Sequence, residues 1–177
     1  MTAVNQQERS FITEPHKFFL AGFIEGEGSF CVSVKKLPTA RFGYVIDPEF
    51  FIYQHKRGRR VLELAQGIFG TGRIYPKPGN EDVLVFAIDN RRSIRERVIP
   101  FLDRYLIESG KKEEWELFKK VVSSLENKEH TTREGFIKLV ELVYKLKGKG
   151  KPRKRSLEEV MDEILRDCTP DSPGAER

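Results

Sequence analysis

One short segment restricts the fold of this chain more than any other part of its sequence. Residues 18–24 read FFLAGFI, so a helix there is apolar almost all round and cannot lie on the surface with one wet face. Thr13 and Pro15 are typical of the start of a helix, and Gly28 is typical of its end. We therefore predict a helix between Thr13 and Gly28 that is buried on two sides.

The second side of this helix needs a partner. Phe19, Gly22 and Gly26 lie three and four residues apart and so share one stripe. The two glycines would let the backbone of another helix come close. A second copy of the same helix is the simplest partner, so we predict a homodimer through the Phe19, Gly22 and Gly26 face.

Two carboxylates, Glu25 and Glu27, occupy the last turn of the same helix. The helix dipole disfavours each negative charge there by a few tenths to about 1 kcal/mol. A two-fold axis would bring the carboxylates of two copies together, and bound cations would keep them ionised. Oxygen ligands favour Mg²⁺ or a similar hard ion. The alternative is that both glutamates are simply solvated at a helix end, and these residues alone do not decide between the two.

The next part of the chain alternates strand-like and helical patterns. Strands are predicted at 29–36, 44–54, 73–76 and 83–88, and helices at 59–69 and 93–106. The order α-β-β-α-β-β-α predicts an α+β fold, in which one four-stranded antiparallel sheet has helices on a single face. The other face is left for solvent or a ligand.

Three more helices are predicted towards the C-terminus, at 111–125, 131–146 and 156–165, and the second of them begins with a capping box at Thr131. A basic run, KGKGKPRKR at 147–155, separates the last two. We predict a single domain over residues 13–166, with its core at 13–125 and the C-terminal helices and basic loop at 126–166. Residues 1–12 and 167–177 are predicted to be disordered.

The charge and the cysteine content limit the possible binding partners and the cellular compartment of the protein. The 32 Lys and Arg residues exceed the 27 Asp and Glu residues, and the net charge of +5 permits a nucleic-acid partner without requiring one. Cys31 and Cys168 lie far apart and in no C-x-x-C spacing, so the sequence predicts neither a disulfide framework nor a zinc ribbon. This cysteine content favours a reducing compartment. The apolar run at 18–24 is far shorter than the roughly 20 residues of a membrane helix. We expect no membrane contact, and a location in the cytoplasm or in an organelle matrix if the gene is organellar.

The predicted first helix also carries a known motif. Its sequence, Leu20-Ala21-Gly22-Phe23-Ile24-Glu25-Gly26-Glu27-Gly28, resembles the motif that names the LAGLIDADG homing endonucleases. It matches at the Leu-Ala-Gly start, at the acid-x-acid-Gly end and at the apolar pair between them, although glutamate replaces aspartate at both acidic positions. The order of hairpins and helices through about Phe118 is also similar to the core of that family.

The resemblance implies an intron-encoded, site-specific enzyme that binds double-stranded DNA on a saddle-shaped sheet. Such an enzyme makes double-strand breaks in a long, pseudo-palindromic site by divalent-metal-dependent hydrolysis and leaves short 3′ overhangs. One motif per chain implies a homodimer. On the same fold, an intron RNA maturase and a DNA-binding regulator that no longer cleaves are the alternative functions.

The resemblance also implies individual site residues. Glu27 matches the acidic position that binds the catalytic divalent metals, and the carbonyl of Gly26 matches a further ligand. The expected ion is Mg²⁺, although Mn²⁺ or Ca²⁺ can occupy such a site. Gln54 matches a polar residue that positions water or metal, with a solvated strand end as the alternative. Lys111 or Lys112 matches the basic residue that orients the attacking water and stabilises phosphate charge.

The family has another basic residue near the start of the second helix, and this sequence has Gly58 at that position. The chain therefore departs from the family pattern there. Lys56, Arg57 or Arg59 could reach the same phosphate.

Strand alternation predicts which side chains face DNA. On the first strand Cys31, Ser33 and Lys35 share the open face of the sheet, which fits the major groove. Weaker candidates, each with an ordinary surface residue as its alternative, are Arg41, Asp47, Glu49, Arg73, Tyr75, Lys77 and Asp82. A basic C-terminal loop contacts the DNA backbone in this family. The resemblance therefore implies phosphate contacts from Lys149, Lys151, Arg153, Lys154 and Arg155. The alternative is that this segment is a solvated linker.

Overall fold

The computed structural model describes residues 12–146 and 153–166 of the chain. In chain order its elements are α1 (Glu14–Glu27), β1 (Gly28–Lys36), β2 (Tyr44–His55), α2 (Arg59–Phe69), β3 (Arg73–Lys77), β4 (Asn80–Ile88), α3 (Arg91–Ser93), a π-helical turn (Ile94–Val98), α4 (Ile99–Tyr105), α5 (Gly110–Glu126), α6 (Arg133–Lys145) and α7 (Leu157–Arg166), with 3-10 turns at Lys56–Gly58 and Glu129–Thr131. The predicted α+β order, αββαββα with added C-terminal helices, is confirmed.

The four strands form one antiparallel sheet in the order β1-β2-β4-β3. Side chains alternate between its faces, so Phe50, Phe86 and Ile88 are buried against the helices while Val85 and Ala87 point to the other face. The core on the helical side is rich in aromatic rings, and Trp115 is fully buried there. Each such side chain contributes about 1.5–3 kcal/mol on burial. The prediction of helices on a single face is therefore confirmed.

Helix α1 runs directly into β1 without a loop. Thr13 and His16 make the reciprocal cap at its start, where the Thr13 backbone N–H donates to His16 Nδ1 at 3.2 Å. At its end the Gly28 N–H donates to the Ile24 carbonyl. A Cβ on Gly28 would lie 2.6 Å from Ile24, so only glycine allows this abrupt change from helix to strand.

Two helical features differ from the sequence prediction. The helix predicted at 93–106 is interrupted by the π-helical turn, since Pro100 in the first turn of α4 has no N–H to continue the preceding ladder. The cap of α6 lies one residue later than predicted. Thr132, not Thr131, accepts the N–H of Gly135, because Thr131 is part of the 3-10 turn.

The C-terminal segment returns to the edge of the sheet at β1. Arg153 donates to the Val32 carbonyl at 3.1 Å and to the Val143 carbonyl at the end of α6 at 2.7 Å. Leu37 N–H donates to the Gly43 carbonyl, and because bonded pairs alternate, Val32 and Pro48 exchange no hydrogen bond. The Val32 carbonyl therefore points away from β2, where Arg153 reaches it.

Helix α7 is tied to the same hairpin by one carboxylate. Glu163 accepts hydrogen bonds from Lys36 and from the Tyr44 hydroxyl, each at 2.7 Å, and it also pairs with Arg155. The bonds from Lys36 and Tyr44 lower the pKa of Glu163 to about 2. At the start of α7, Ser156 and Glu159 make a capping box.

Candidate metal site and nucleic-acid interface

The two acidic residues at the end of α1 differ in their exposure to solvent. Gly26 and Glu27 are exposed, whereas Glu25 is half-buried and its Oε2 has no hydrogen-bond partner among the described residues. Residues 12–146 and 153–166 contain no group of three His, Cys, Asp or Glu side chains arranged to hold a metal ion. Glu27 and the Gly26 carbonyl are hard oxygen donors, so they suit an open Mg²⁺ or Ca²⁺ site that takes further ligands from outside one chain.

Gln54 lies beside the end of this helix. Gly28, the first residue of β1, pairs with Ile52, so Gln54 lies two residues beyond the level of the α1–β1 junction. Its Oε1 accepts the backbone N–H of His55 at 2.7 Å. A Cβ on Gly58 would lie 2.7 Å from Gln54 Cγ. The glycine that departs from the family pattern therefore makes room for the Gln54 side chain, a relation that no local sequence signal indicates.

The structure separates the two candidate lysines. Lys111 is only 5% exposed, and its Nζ donates to the Gly28 carbonyl at 2.7 Å, next to Glu27 in sequence. Lys112 is half-buried, with its Nζ 3.5 Å from a Glu116 carboxylate oxygen. Lys111 is thus brought to the junction of α1 and β1, while Lys112 lies nearer to solvent.

The predicted dimer face of α1 is open in the single chain. Phe18 and Phe19 are 61% and 54% exposed, and Gly22 and Gly26 are exposed beside them. A Cβ on either glycine would meet nothing within 4 Å among the described residues. The opposite side of α1 is fully packed, with Leu20 at 0% exposure. The helix is therefore apolar on both sides but covered on one.

The open face of the sheet has a polar part far from α1. There Cys31 pairs with Glu49 and Ser33 with Asp47 across β1 and β2. Ser33 donates to Glu49 at 3.3 Å, and Lys35 forms ion pairs with Asp47 and Glu49. The hydrogen bond to Asp47 raises the pKa of Lys35. All five predicted residues of this region share one face, where they form a connected cluster.

The part of the open face nearer to α1 is largely apolar. One row across the strands contains Phe51, Ala87 and Arg73, and the next contains Tyr53, Val85 and Tyr75. The Phe51 and Tyr53 rings lie 6.1 Å apart, and burial raises the pKa of Tyr53. Val85 and Ala87 are 3% and 1% exposed although they face away from the helices.

Cations surround these rows. Lys77 Nζ lies 5.4 Å from the Tyr53 ring centre, and the Arg73 guanidinium lies 5.5 Å from that of Tyr75. Arg73 also pairs with Asp89 at 2.6 Å. Two further DNA-contact candidates lie outside the rows. Asp82 pairs with Lys56 at 2.7 Å, and Arg41 is exposed in the loop between β1 and β2.

The C-terminal basic residues divide into three groups. Lys149 and Lys151 lie outside the described residues. Arg153 and Arg155 are engaged within the chain, by the carbonyl bonds and the Glu163 pair given above, and sequence reasoning missed these contacts. Lys154 is exposed. Phosphate contact by this segment stays a prediction.

In sequence, this chain is similar to several known proteins. Residues 20–122 match the family model of the LAGLIDADG endonucleases. The chain is 34% identical over 160 residues to the homing endonuclease I-ApeII of Aeropyrum pernix, a match that covers 88% of this chain and 94% of that protein. It is 52% identical over 96 residues to the DNA endonuclease I-CeuI of Chlamydomonas moewusii, covering 54% of this chain and 44% of that protein.

Solved structures show the same similarity in three dimensions. The DNA complex of I-CeuI superposes with a TM-score of 0.79 at 37% identity, over 86% of this chain and 77% of that one. The DNA complex of the archaeal enzyme I-Vdi141I gives 0.77 at 35% identity, over 85% and 94%. In the part of the chain that the structure describes, no helix is long and apolar enough to cross a membrane.

Proposed function

This chain belongs to the LAGLIDADG endonuclease family, and we propose that it is a homing endonuclease that cuts both strands of a long, pseudo-palindromic DNA site as a homodimer. One observation carries this proposal: α1 bears a single motif whose glycine face is exposed, with Glu27 exposed at its end. Pairing of two α1 helices through Gly22 and Gly26 would bring two Glu27 carboxylates together at one axis. Each Glu27 carboxylate would then act in the cleavage of one DNA strand.

The open sheet face is the proposed DNA-binding surface. Its strands reach outward from the end of α1, so two copies related by an axis at α1 would extend in opposite directions along the major groove. The nine residues of β1, at about 3.3 Å each, span roughly 30 Å, or about nine base pairs. A dimer would therefore read a site about twice that long.

Endonucleases of this family depend on divalent metal ions, and we propose Mg²⁺ at Glu27. The Glu27 carboxylate and the Gly26 carbonyl would hold the ion, which supplies an activated water and charge stabilisation at phosphorus. Mn²⁺ and Ca²⁺ prefer the same hard oxygen donors and would occupy the site too. The short 3′ overhangs remain an expectation from the family.

Three polar side chains have distinct proposed roles around Glu27. Gln54, whose side chain lies over Gly58, would orient the attacking water. Lys111 acts as a positioning residue, because its hydrogen bond fixes the Gly28 carbonyl immediately after Glu27. Lys112, which lies nearer to solvent, would stabilise the negative charge of the phosphate.

Replacing Glu27 with glutamine tests the chemistry separately from binding. Glu27→Gln keeps the size of the side chain and removes its charge, so cleavage should fall by several orders of magnitude. Binding in the absence of divalent ions should persist or rise, because a carboxylate near the phosphates has been neutralised. The substrate is DNA carrying the intronless allele of the host gene, with and without Mg²⁺.

Glu158→Gln, a change of an exposed glutamate at the start of α7, is the matched control and should cut normally. Cleavage by Glu27→Gln at the unaltered rate would show that the metal site lies elsewhere. Specific binding without cleavage by the unaltered protein would identify a DNA-binding regulator instead. Activity only on the folded intron RNA would identify a maturase.

A further inference from the structure

The apolar part of the open sheet face is unexpected in a surface that reads DNA by hydrogen bonds. We call its five members, which occupy two neighbouring rows across β2, β4 and β3, the apolar rows. They are Phe51, Tyr53, Tyr75, Val85 and Ala87. Val85 and Ala87 are buried, so the half-buried rings of Phe51, Tyr53 and Tyr75 make the surface that a ligand can contact. Apart from the hydroxyls of Tyr53 and Tyr75, these side chains offer no polar group to a base edge.

The chemistry of the major groove leaves few partners for such a surface. Each base pair presents hydrogen-bond donors and acceptors there, and the apolar group among them is the C5 methyl of thymine. From this match we propose that the rings of the apolar rows bind thymine methyl groups and thereby select A·T pairs in the inner part of each half-site. This inference rests on the proposed function, since it assumes that the open face lies in the groove.

The position of the rows within a half-site follows from the strand register. Ser29, the second residue of β1, is level with Phe51, and Gly28 joins directly to α1. Cys31 and Glu49 form the next row outward. The apolar rows therefore lie closest to the proposed dimer axis, and the polar cluster of Ser33, Lys35 and Asp47 lies beyond them.

The length of DNA that the apolar rows cover follows from the strand rise. Neighbouring rows are two residues, or about 7 Å, apart along the strands, which corresponds to roughly two base pairs. With the reach of the side chains on either side, the two rows cover about four base pairs. We call this stretch the inner window.

The charges around the apolar rows favour DNA over an apolar protein partner. Lys77 and Arg73 lie against the tyrosine rings, and Lys56 lies at the end of β2 beside β4. Positive groups around an apolar centre match a groove with methyl groups at its floor and phosphates on both sides. Arg73 and Lys56 already pair with Asp89 and Asp82, but burial of this charged rim under a purely apolar protein surface would still cost its hydration.

The test changes the DNA and leaves the protein intact. In the half-site found by cleavage with the unaltered protein, each thymine of the inner window is replaced by uracil, which lacks only the methyl group. Affinity, measured by fluorescence anisotropy without Mg²⁺, should fall about fourfold for each methyl removed, the factor expected for one buried carbon group. The same replacement beneath the polar cluster should change affinity by less than about twofold.

A pair of protein variants ties the effect to the sheet. Phe51→Ala removes one ring from the apolar rows, so it should weaken binding and reduce the difference between thymine and uracil DNA. Ser33→Ala, in the polar cluster, should weaken binding while leaving that difference unchanged. Circular dichroism melts of both variants establish that the folded state is retained in the assay.

The outcomes separate this inference from the proposed function. Equal affinity for thymine and uracil DNA in the inner window, or a half-site without A·T pairs there, would overturn the inference while site-specific binding and cleavage stand. A thymine effect that persists unchanged in Phe51→Ala would also overturn it. Absence of any site-specific DNA binding would overturn the proposed function, and the inference with it.

Discussion

Replacing Gly22 with leucine tests the proposed dimer without disturbing the single chain. A Cβ at this position meets nothing within 4 Å among the described residues, so the protomer can accept a larger side chain. A helix packed against Gly22 cannot, because the glycines set how closely two backbones approach. We therefore expect folded protomers that no longer pair.

The size of the effect follows from overpacking at a symmetric interface. Inserting extra carbon groups into a packed contact costs about 1–3 kcal/mol, and a two-fold axis places two new leucines in each dimer. The total of about 2–6 kcal/mol raises the dissociation constant of the dimer by roughly 30-fold to 10⁴-fold, since each factor of ten is about 1.4 kcal/mol. Exposure of Phe18 and Phe19 in the monomer should also lower its solubility.

Sedimentation velocity over a dilution series measures this change, together with double-strand cleavage. The matched control is Ser123→Leu, which adds the same side chain at an exposed position in α5. This control should sediment and cut like the unaltered protein. If Gly22→Leu kept the dissociation constant of the unaltered dimer, or if the unaltered protein were an active monomer, pairing through this face would be refuted.

Three further variants test the contacts around the site and at the C-terminus. Gly58→Ala pushes a Cβ to 2.7 Å from Gln54 Cγ, so single-turnover cleavage should slow about tenfold to a hundredfold while DNA affinity holds; an unchanged rate would remove Gln54 from the mechanism. Lys111→Met should lower the free energy of unfolding in urea by about 1.5–3 kcal/mol, because a hydrogen bond from a charged donor is lost. Lys112→Met should lower it by less than about 0.5 kcal/mol, and equal losses would contradict the distinct positions of the two lysines. Glu163 has its pKa lowered from 4.5 to about 2, so its stabilising contribution is present above pH 4.5 and is lost as pH falls towards 2. Over that window the melting temperature of the unaltered protein should fall more steeply than that of Glu163→Gln, and parallel curves would show that the ionised carboxylate does not stabilise the fold.

Local sequence signals were sufficient where the structure depends on neighbouring residues. The Thr13 cap, the Gly28 stop and the end of α2 at Phe69 lie where glycine and capping patterns predict them. The same holds for the two apolar sides of α1, since helical periodicity alone determines which residues share a face. The π-helical turn was missed because it depends on how the chain accommodates Pro100 against the core.

Contacts between distant parts of the chain could not be predicted in this way. Lys111 and Gly28 are 83 residues apart, and Arg153 and Val32 are 121 apart, yet each pair is joined by a hydrogen bond. No periodicity or spacing records such a pairing, because it depends on the packing of whole elements. Gln54 and Lys111 could be selected only through the motif resemblance, whereas their positions beside the end of α1 required the structure.

The hydrogen bond from Arg153 to β1 also affects how this protein behaves outside its complex with DNA. An outermost strand with free carbonyl and N–H groups can recruit strands of other molecules, and intermolecular sheets and aggregates grow from such contacts. At the opposite side of the sheet, β3 is five residues long and contains Pro76, which limits recruitment there. At β1 the protection comes from a residue far along the chain, at the start of the segment that leads into α7. A shortened chain that ends after α6 would keep the motif and the DNA-facing side chains but would expose a strand edge that templates self-association.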